Sequence, residues 1–188
     1  LFPPRRSSDL PAEQDRAIAP APAGRRKVVL ATSIAQTSLT IEGVRIVVDS
    51  GFARVPAYEP ATGLTTLETR RVSRAAAAQR RGRAGRTEPG ICYRLWAEAQ
   101  EGALQPFDRP EILEADLAPL ALDLAAAGAG DAAELEWLDP PPAAAYARAR
   151  ELLHQLGGIA PDGALSPRGM RMAELPLHPR LAHMLLEA

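Results

Sequence analysis

Two short runs of β-branched and apolar residues, "KVVLAT" at 27–32 and "VRIVVDSG" at 44–51, constrain the fold of this chain most strongly. Continuous runs of this kind are typical of strands that are buried on both faces. Because the two runs follow one another, with a loop between them, we expect a parallel α/β sheet. A third strand is predicted for "GICYRLW" at 90–96. In such sheets the functional groups lie at the carboxyl ends of the strands.

Polar and apolar residues alternate between the second and third strands. The pattern at 52–73 predicts a β-hairpin whose tip lies near Pro60 to Gly63. Ser73 is then expected to cap a helix that runs through "RAAAAQRR" and ends at Gly82.

The second half of the chain is predicted to be helical. The segments 110–128 and 143–159 have the apolar period of amphipathic helices, and "IAPDGALSPRG" at 159–169 indicates a small hairpin or wing. Two helices and a wing are the outline of a winged-helix module. A further helical segment is predicted from 169 to 188.

The charge of the chain is distributed unevenly. The formal net charge is -1, yet the segment from Arg70 to Arg86 contains seven arginines and no acidic residue. A local basic patch on an otherwise acidic chain indicates a specific anion site. The alternatives are a solvated basic turn, or arginines that pair with acidic residues elsewhere.

Composition excludes several classes of protein. A single cysteine, Cys92, cannot form an internal disulfide, which fits a reducing compartment, and we expect a cytoplasmic protein. No apolar run approaches the roughly 20 residues that span a bilayer, so no membrane association is expected. Residues 1–10 have no helical or strand period and are expected to be a non-native leader. Both ends are expected to be truncations of a longer protein.

The densest cluster of candidate ligand-binding residues is "QRRGRAGR" at 79–86. Arginine presents a rigid fork of donors that suits phosphate oxygens, and glycines let the backbone approach a ligand. Upstream, "ATSIAQTSLTIEG" supplies hydroxyl groups that can hold a phosphate or ribose without reading bases.

Taken in this order, "ATSIAQTSLTIEGVRIVVDSG" and "QRRGRAGR" resemble motifs V, Va and VI of the DEAH-box branch of superfamily 2 helicases. "PLHPRLAHML" is most similar to the bacterial HrpB-type ATP-dependent RNA helicases. The resemblance covers about residues 10–188. It implies an α/β, RecA-like domain of the P-loop NTPase type with a β-hairpin at 11–98. An α-rich winged helix at 99–165 and the start of a helical bundle at 166–188 would follow.

The resemblance also implies a role for individual residues. Gln79, Arg83 and Arg86 match the catalytic positions that face the ATP γ-phosphate and its attacking water. Thr40 and Glu42 match positions near the nucleotide ribose.

The remaining matches concern the RNA. Thr32, Ser33 and Ser38 match positions near the RNA backbone, and the hairpin resembles the element that separates strands. Gln36 stands where the family usually has Glu, which removes a carboxylate from the loop that couples RNA to ATP.

The family's cofactor is ATP with Mg²⁺, bound mainly by a first RecA-like domain, and its substrate is single-stranded or duplex RNA. This sequence contains no G-x-x-x-x-G-K-[ST] loop and no Asp-Glu-x-His. We therefore expect the 188 residues not to hydrolyse ATP alone and to need that first domain as a partner. The alternative hypothesis is a non-enzymatic module that binds nucleic acid or a partner.

Several other residues have two interpretations. Asp49, at a strand end, is either catalytic or the cap of a turn. Trp96 and Trp137 either stack on bases or pack internally. The sequence favours packing or capping for His178 and His183, and the spacing and composition indicate no metal site.

Overall fold

The computed structural model describes residues 19–21, 24–37, 41–86, 88–129 and 131–188. The predicted leader at 1–10 lies outside the described residues, as do Ser38 and Thr40. The helices and strands follow in this order: α1 (Ile34–Thr37), β1 (Ile46–Asp49), β2 (Phe52–Glu59), β3 (Leu64–Arg71), α2 (Arg74–Gly82), β4 (Ile91–Arg94), α3 (Glu98–Glu101), α4 (Ala118–Ala126), α5 (Ala143–Gln155), α6 (Pro167–Ala173) and α7 (Pro179–Glu187). Short 3₁₀ helices lie at Glu111–Leu113 and Ala132–Glu134.

Strands β1 and β4 form a parallel pair. The strands predicted within 44–51 and 90–96 are therefore confirmed. The expectation that 44–51 is buried on both faces is wrong, because burial alternates along β1. Asp49 is buried, whereas Ile46 and Val48 are 60% and 62% exposed. Within the described residues, β1 is thus covered on one face only.

The predicted strand at 27–32 is wrong. These residues form no strand in the described chain, and Val28 and Leu30 are each 85% exposed. β-branched side chains favour extended backbone, but a strand also needs a neighbour whose N–H and C=O groups it can bond. In the described chain β1 pairs with β4, and the residues at 27–32 form no ladder with either strand.

Strands β2 and β3 form the predicted hairpin. The carbonyl of Glu59 accepts a hydrogen bond from the N–H of Gly63 at 2.8 Å, which closes the turn at its tip. Gly63 has a φ of 67°, in the left-handed region that glycine adopts without strain. The tip predicted near Pro60 to Gly63 is confirmed.

Helix α2 begins and ends where the sequence predicts. The Oγ atom of Ser73 accepts a hydrogen bond from the N–H of Ala76 at 3.0 Å, so Ser73 is the N-cap. Gly82 is the last helical residue. The buried Ala76 and Ala77 pack with Val72 in a small core cluster, and such small side chains let the helix approach its neighbours closely.

The helical region has a larger core. Helix α4 packs against α5, α6 and α7. Leu153, Met172 and Ala182, one from each of these three helices, are fully buried in the same cluster. A turn closed by a single antiparallel bridge between Ile159 and Leu165 forms at the predicted wing.

The single helix predicted at 110–128 is wrong in its first half. A 3₁₀ turn at Glu111–Leu113 is followed by a break, and α4 starts only at Ala118. Proline lacks an N–H and its ring clashes with the carbonyl four residues earlier, so Pro119 fits only the first turn of a helix. Asp116 stabilises the first turn of α4, because its Oδ1 accepts a hydrogen bond from the N–H of Ala118 at 2.9 Å.

The chain divides into two compact units. One comprises Leu1–Val55 with Glu68–Asp108, and the other comprises Pro56–Leu67 with Arg109–Ala188. The hairpin tip thus belongs to the helical unit. Among the described residues no helix has the length and hydrophobicity that crossing a membrane requires.

Candidate functional site

Three elements of the first unit meet around the basic segment. Helix α2 packs against both β1 and α1. The Ser73 cap sets where α2 starts, and the helical repeat then brings Gln79, Arg80 and Arg83 to its last turn and C-cap. Polar side chains from the end of β1 and from α1 join them there.

Asp49 and Arg80 form a buried ion pair at the carboxyl end of β1. Arg80 Nη1 lies 2.8 Å from Asp49 Oδ1, and the two side chains are 16% and 1% exposed. Arg80 Nη1 also donates to the carbonyl of Phe52 at 3.1 Å. The N–H of Gly51 donates to Asp49 Oδ1 at 3.0 Å, so Asp49 is the cap of its turn as well as the partner of Arg80.

Gln36 on α1 links this ion pair to the exposed end of α2. Its Oε1 accepts from Arg80 Nε at 3.1 Å, and its Nε2 donates to Gln79 Oε1 at 3.1 Å. One carboxamide therefore bonds two neighbouring side chains of α2.

Arg83 is also attached to α1, but through the backbone. Its Nε donates to the carbonyl of Gln36 at 3.0 Å, and its Nη2 contacts the same oxygen. The carbonyl belongs to the short helix α1, near its carboxyl end, where backbone carbonyls favour a cation. The structure thus brings the predicted residues Gln79 and Arg83 together around Gln36.

Arg86 lies on the exposed turn after α2. Protein atoms leave this turn open: in the described part of the chain, nothing lies within 4 Å of a Cβ built at Gly82 or Gly85. Neither glycine is required by internal packing, so both leave space for a ligand. Gly90 differs, because a Cβ there would overlap the backbone of Ala84.

The predicted RNA-facing and ribose-facing residues are only partly described. Thr32 and Ser33 are exposed in the turn that starts α1, and Glu42 is exposed in the turn before Gly43. Thr40 and Ser38 lie outside the described residues. The structure therefore gathers Gln79 and Arg83 around Gln36, and in the part of the chain that it describes Thr32, Ser33 and Glu42 take no part in the bonds to Gln36.

Arg80 is the functional candidate that sequence reasoning missed. The sequence shows four arginines in eight positions and no difference among their side chains. The signal was helical spacing: Arg80 lies four positions after the buried Ala76 and three after the buried Ala77. It therefore faces inward.

The thiol of Cys92, in β4, has a shifted pKa. Burial raises the pKa of the thiol, and the nearby Asp49 carboxylate raises it further, while Arg94 and Arg81 lower it. The thiol is therefore protonated and unreactive near neutral pH.

The two tryptophans and two histidines make internal contacts. Trp96 packs on the cluster of Val72 and donates from Nε1 to Glu101 Oε2 at 2.8 Å. Trp137 donates from Nε1 to the carbonyl of Ala132 at 2.7 Å. His178 accepts from the N–H of Arg180 as the N-cap of α7.

His183 lies with its Nδ1 3.1 Å from the carbonyl of Leu156. Among the described residues no three of His, Cys, Asp and Glu come together in a way that could hold a metal ion. The donors at the end of α2 are guanidinium and carboxamide groups. They fit the oxygens of a polyphosphate rather than a cation.

Two family models match the chain. The helicase conserved C-terminal domain matches residues 6–88, and the helicase associated domain (HA2), winged-helix, matches residues 149–177.

The chain is similar to curated ATP-dependent RNA helicases. Over 176 residues it is 50% identical to the ATP-dependent RNA helicase HrpB of Escherichia coli strain K12. This alignment covers 94% of this chain and 22% of that protein. It is 44% identical over 181 residues to the pre-mRNA-splicing factor ATP-dependent RNA helicase prp22 of Schizosaccharomyces pombe, covering 95% of this chain and 16% of that protein. The chain thus spans about a fifth of the length of these relatives.

A solved structure has the same fold. The crystal structure of the Escherichia coli DEAH/RHA helicase HrpB superposes with a TM-score of 0.87 and 47% identity, over 100% of this chain and 23% of that chain. The predicted fold class, a RecA-like parallel α/β domain followed by a helical winged-helix region, is confirmed.

Proposed function

We propose that this chain, which belongs to the DEAH-box helicase family, forms one wall of the ATP site of an RNA helicase. The observation that carries the proposal is the attachment of Gln79 and Arg83 to Gln36. It gathers a carboxamide and a guanidinium beside a turn whose glycines leave open space. Such donors suit the oxygens of a transferring phosphoryl group, where one arginine contributes roughly 10³–10⁵ in rate.

We assign the remaining roles on the same basis. Arg86 joins Arg83 at the γ-phosphate, and Thr40 and Glu42 face the ribose. Thr32, Ser33 and Ser38 hold RNA phosphates. Holding phosphates gives little sequence specificity, so translocation on many RNAs is expected.

The second wall of the cleft comes from another RecA-like domain. This sequence contains neither the phosphate-binding loop nor the Asp-Glu-x-His that bind triphosphate and Mg²⁺. We therefore expect that other domain to hold the Mg²⁺. We also expect the domain boundaries at 11–98, 99–165 and 166–188 to be those of the parent helicase. With one cysteine and an RNA substrate, we place the protein in the cytoplasm.

The test is a chimera, defined as Escherichia coli HrpB in which this chain replaces the matching segment. We expect RNA-stimulated ATP hydrolysis by the chimera and none by the 188 residues alone. Arg83→Ala in the chimera is expected to lower kcat by about 10³-fold or more while RNA affinity stays within about twofold. Arg74→Ala is the matched control, since Arg74 is an exposed arginine at the opposite end of α2.

The opposite pattern would overturn the assignment. If Arg83→Ala removes RNA binding but leaves ATP turnover intact, the basic turn is a nucleic-acid patch. ATP-independent RNA binding by the 188 residues, together with an inactive chimera, would favour the non-enzymatic module.

A further inference from the structure

The contact between Gln36 and Arg80 determines the orientation of two carboxamides. A guanidinium only donates hydrogen bonds, so the Gln36 atom 3.1 Å from Arg80 Nε must be its oxygen. The Gln36 nitrogen then faces Gln79 at 3.1 Å. Because an amide nitrogen also only donates, the facing atom of Gln79 must be Oε1.

Arg80 is held from its buried side. Its Nη1 donates to Asp49 Oδ1 and to the carbonyl of Phe52. Asp49 is itself held by the N–H of Gly51. A chain of hydrogen bonds therefore runs from a buried carboxylate through Arg80 and Gln36 to the exposed Gln79.

This chain of bonds leaves Gln79 with a defined polarity. Its oxygen is turned toward α1 and accepts from Gln36, and its exposed side chain can offer two N–H donors to a ligand. We propose that Gln36 is a positioning residue that makes Gln79 a donor to a phosphate oxygen rather than an acceptor for the attacking water. The proposal rests on the proposed function, in which Gln79 faces the γ-phosphate.

Gln36→Glu reverses this polarity at almost unchanged size. A carboxylate only accepts, so Glu at this position takes one bond from Arg80 Nε and one from Gln79 Nε2. The oxygen of Gln79 then turns toward the ligand. In the chimera we expect KM for ATP to rise and kcat to rise, each by about tenfold, the size of one hydrogen bond to a charged or reacting group.

Two controls separate orientation from other effects. Gln36→Met has a similar length and makes neither bond, so KM should rise without a gain in kcat. An electrostatic effect of the new carboxylate should fade in 1 M salt, where the Debye length is about 3 Å, whereas an effect of orientation should persist.

The hydrogen bonds are tested directly in the 188-residue chain by NMR of its side-chain amides. In the wild-type chain we expect the Gln36 amide protons to exchange slowly with water and those of Gln79 to exchange rapidly. In the Gln36→Glu chain the Gln79 amide protons should become protected, and their shifts should follow the titration of the new carboxylate.

Failure of this inference differs from failure of the proposed function. Slow exchange at Gln79 in the wild-type chain would overturn the inference, whatever the chimera does. So would an unchanged kcat for Gln36→Glu in a chimera that Arg83→Ala inactivates, and the proposed function would then stand. A chimera indifferent to Arg83→Ala would overturn the proposed function, and with it the role given to Gln79.

Discussion

At the scale of single residues, the Asp49–Arg80 ion pair organises the candidate site. Removing two charges from water is costly, and the cost is recovered only with good geometry and additional hydrogen bonds. Asp49 Oδ1 has two donors, whereas Oδ2 is buried without a hydrogen-bond partner in the described part of the chain. We therefore infer that the main effect of the ion pair is to orient the Arg80 side chain, and that its net contribution to the free energy of unfolding is small.

Removing one partner of this pair should be far more harmful than removing a neighbouring arginine. Arg80→Ala leaves the Asp49 carboxylate buried without its cation, and we expect a loss of about 3–5 kcal/mol in the free energy of unfolding. Arg81→Ala, an exposed position on the same helix, should change it by less than about 0.5 kcal/mol. Urea denaturation of both variants measures the difference, and equal losses would contradict a buried pair.

Cys92 provides a prediction about pH. Its pKa in the folded chain lies above the ordinary value of 9.0, chiefly because the thiol is buried. The folded state therefore keeps its proton to higher pH than the unfolded state. The free energy of unfolding should fall as pH rises through 9 toward the raised pKa.

The same shift is measured by the rate of alkylation with iodoacetamide as a function of pH. The inflection for the folded chain should lie above that for the chain in urea. An inflection at or below that of the unfolded chain would show that burial does not control this thiol.

At the scale of elements, side chains and prolines set where the helices start. Ser73, Ser166 and His178 each accept a hydrogen bond from the first turn of α2, α6 and α7. Pro167 and Pro179 begin α6 and α7, where a missing N–H costs nothing. The residues at which these helices start are therefore determined by their immediate neighbours in the sequence.

Two helical glycines provide a matched pair for packing. A Cβ at Gly169 in α6 would overlap the carbonyl oxygen of Gly158 and lie 2.8 Å from Leu165 Cδ1, whereas a Cβ at Gly82 would meet nothing within 4 Å. Gly169→Ala should therefore destabilise the chain by about 1–3 kcal/mol, since backbone cannot yield as a side chain can.

Gly82→Ala is expected to be neutral or to stabilise by up to about 1 kcal/mol, because alanine favours a helix. Urea midpoints at a constant m-value compare the two variants. A neutral Gly169→Ala would mean that α6 does not pack against the turn at Gly158.

At the scale of the whole molecule, the two units have cores of different quality. Among the described residues, the buried cluster of the first unit consists of Val72, Ala76 and Ala77. The cluster of the helical unit includes Leu153, Met172 and ten further buried residues. Stabilisation follows the apolar area removed from water, so the helical unit should be the more stable one.

Hydrogen exchange tests this difference between the units. We expect the amides of α5 to exchange more slowly than those of α2. Leu153 is fully buried, so Leu153→Ala should lower the free energy of opening measured by exchange of the α5 amides by about 2–5 kcal/mol. Leu138→Ala is the control, because Leu138 is 99% exposed. Equal protection of α2 and α5 would contradict the ranking of the two cores.

The sequence by itself determined the features that depend on neighbouring residues. The hairpin tip, the Ser73 cap, the end of α2 at Gly82 and the predicted strands that became β1 and β4 all follow from short-range chemistry. The break before α4 also follows from a local feature, because Pro119 fits only the first turn of a helix. Hydrophobic periodicity alone had predicted an unbroken helix.

The tertiary structure alone decided the rest. Whether 27–32 forms a strand depends on a neighbouring strand, which periodicity cannot reveal. The site depends on hydrogen bonds between residues far apart in sequence, 44 positions between Gln36 and Arg80 and 31 between Asp49 and Arg80. Helical spacing places Arg80 on the same face as Ala76 and Ala77, but only the packing of α2 on β1 makes that face the buried one, which turns Arg80 inward and leaves Gln79 exposed.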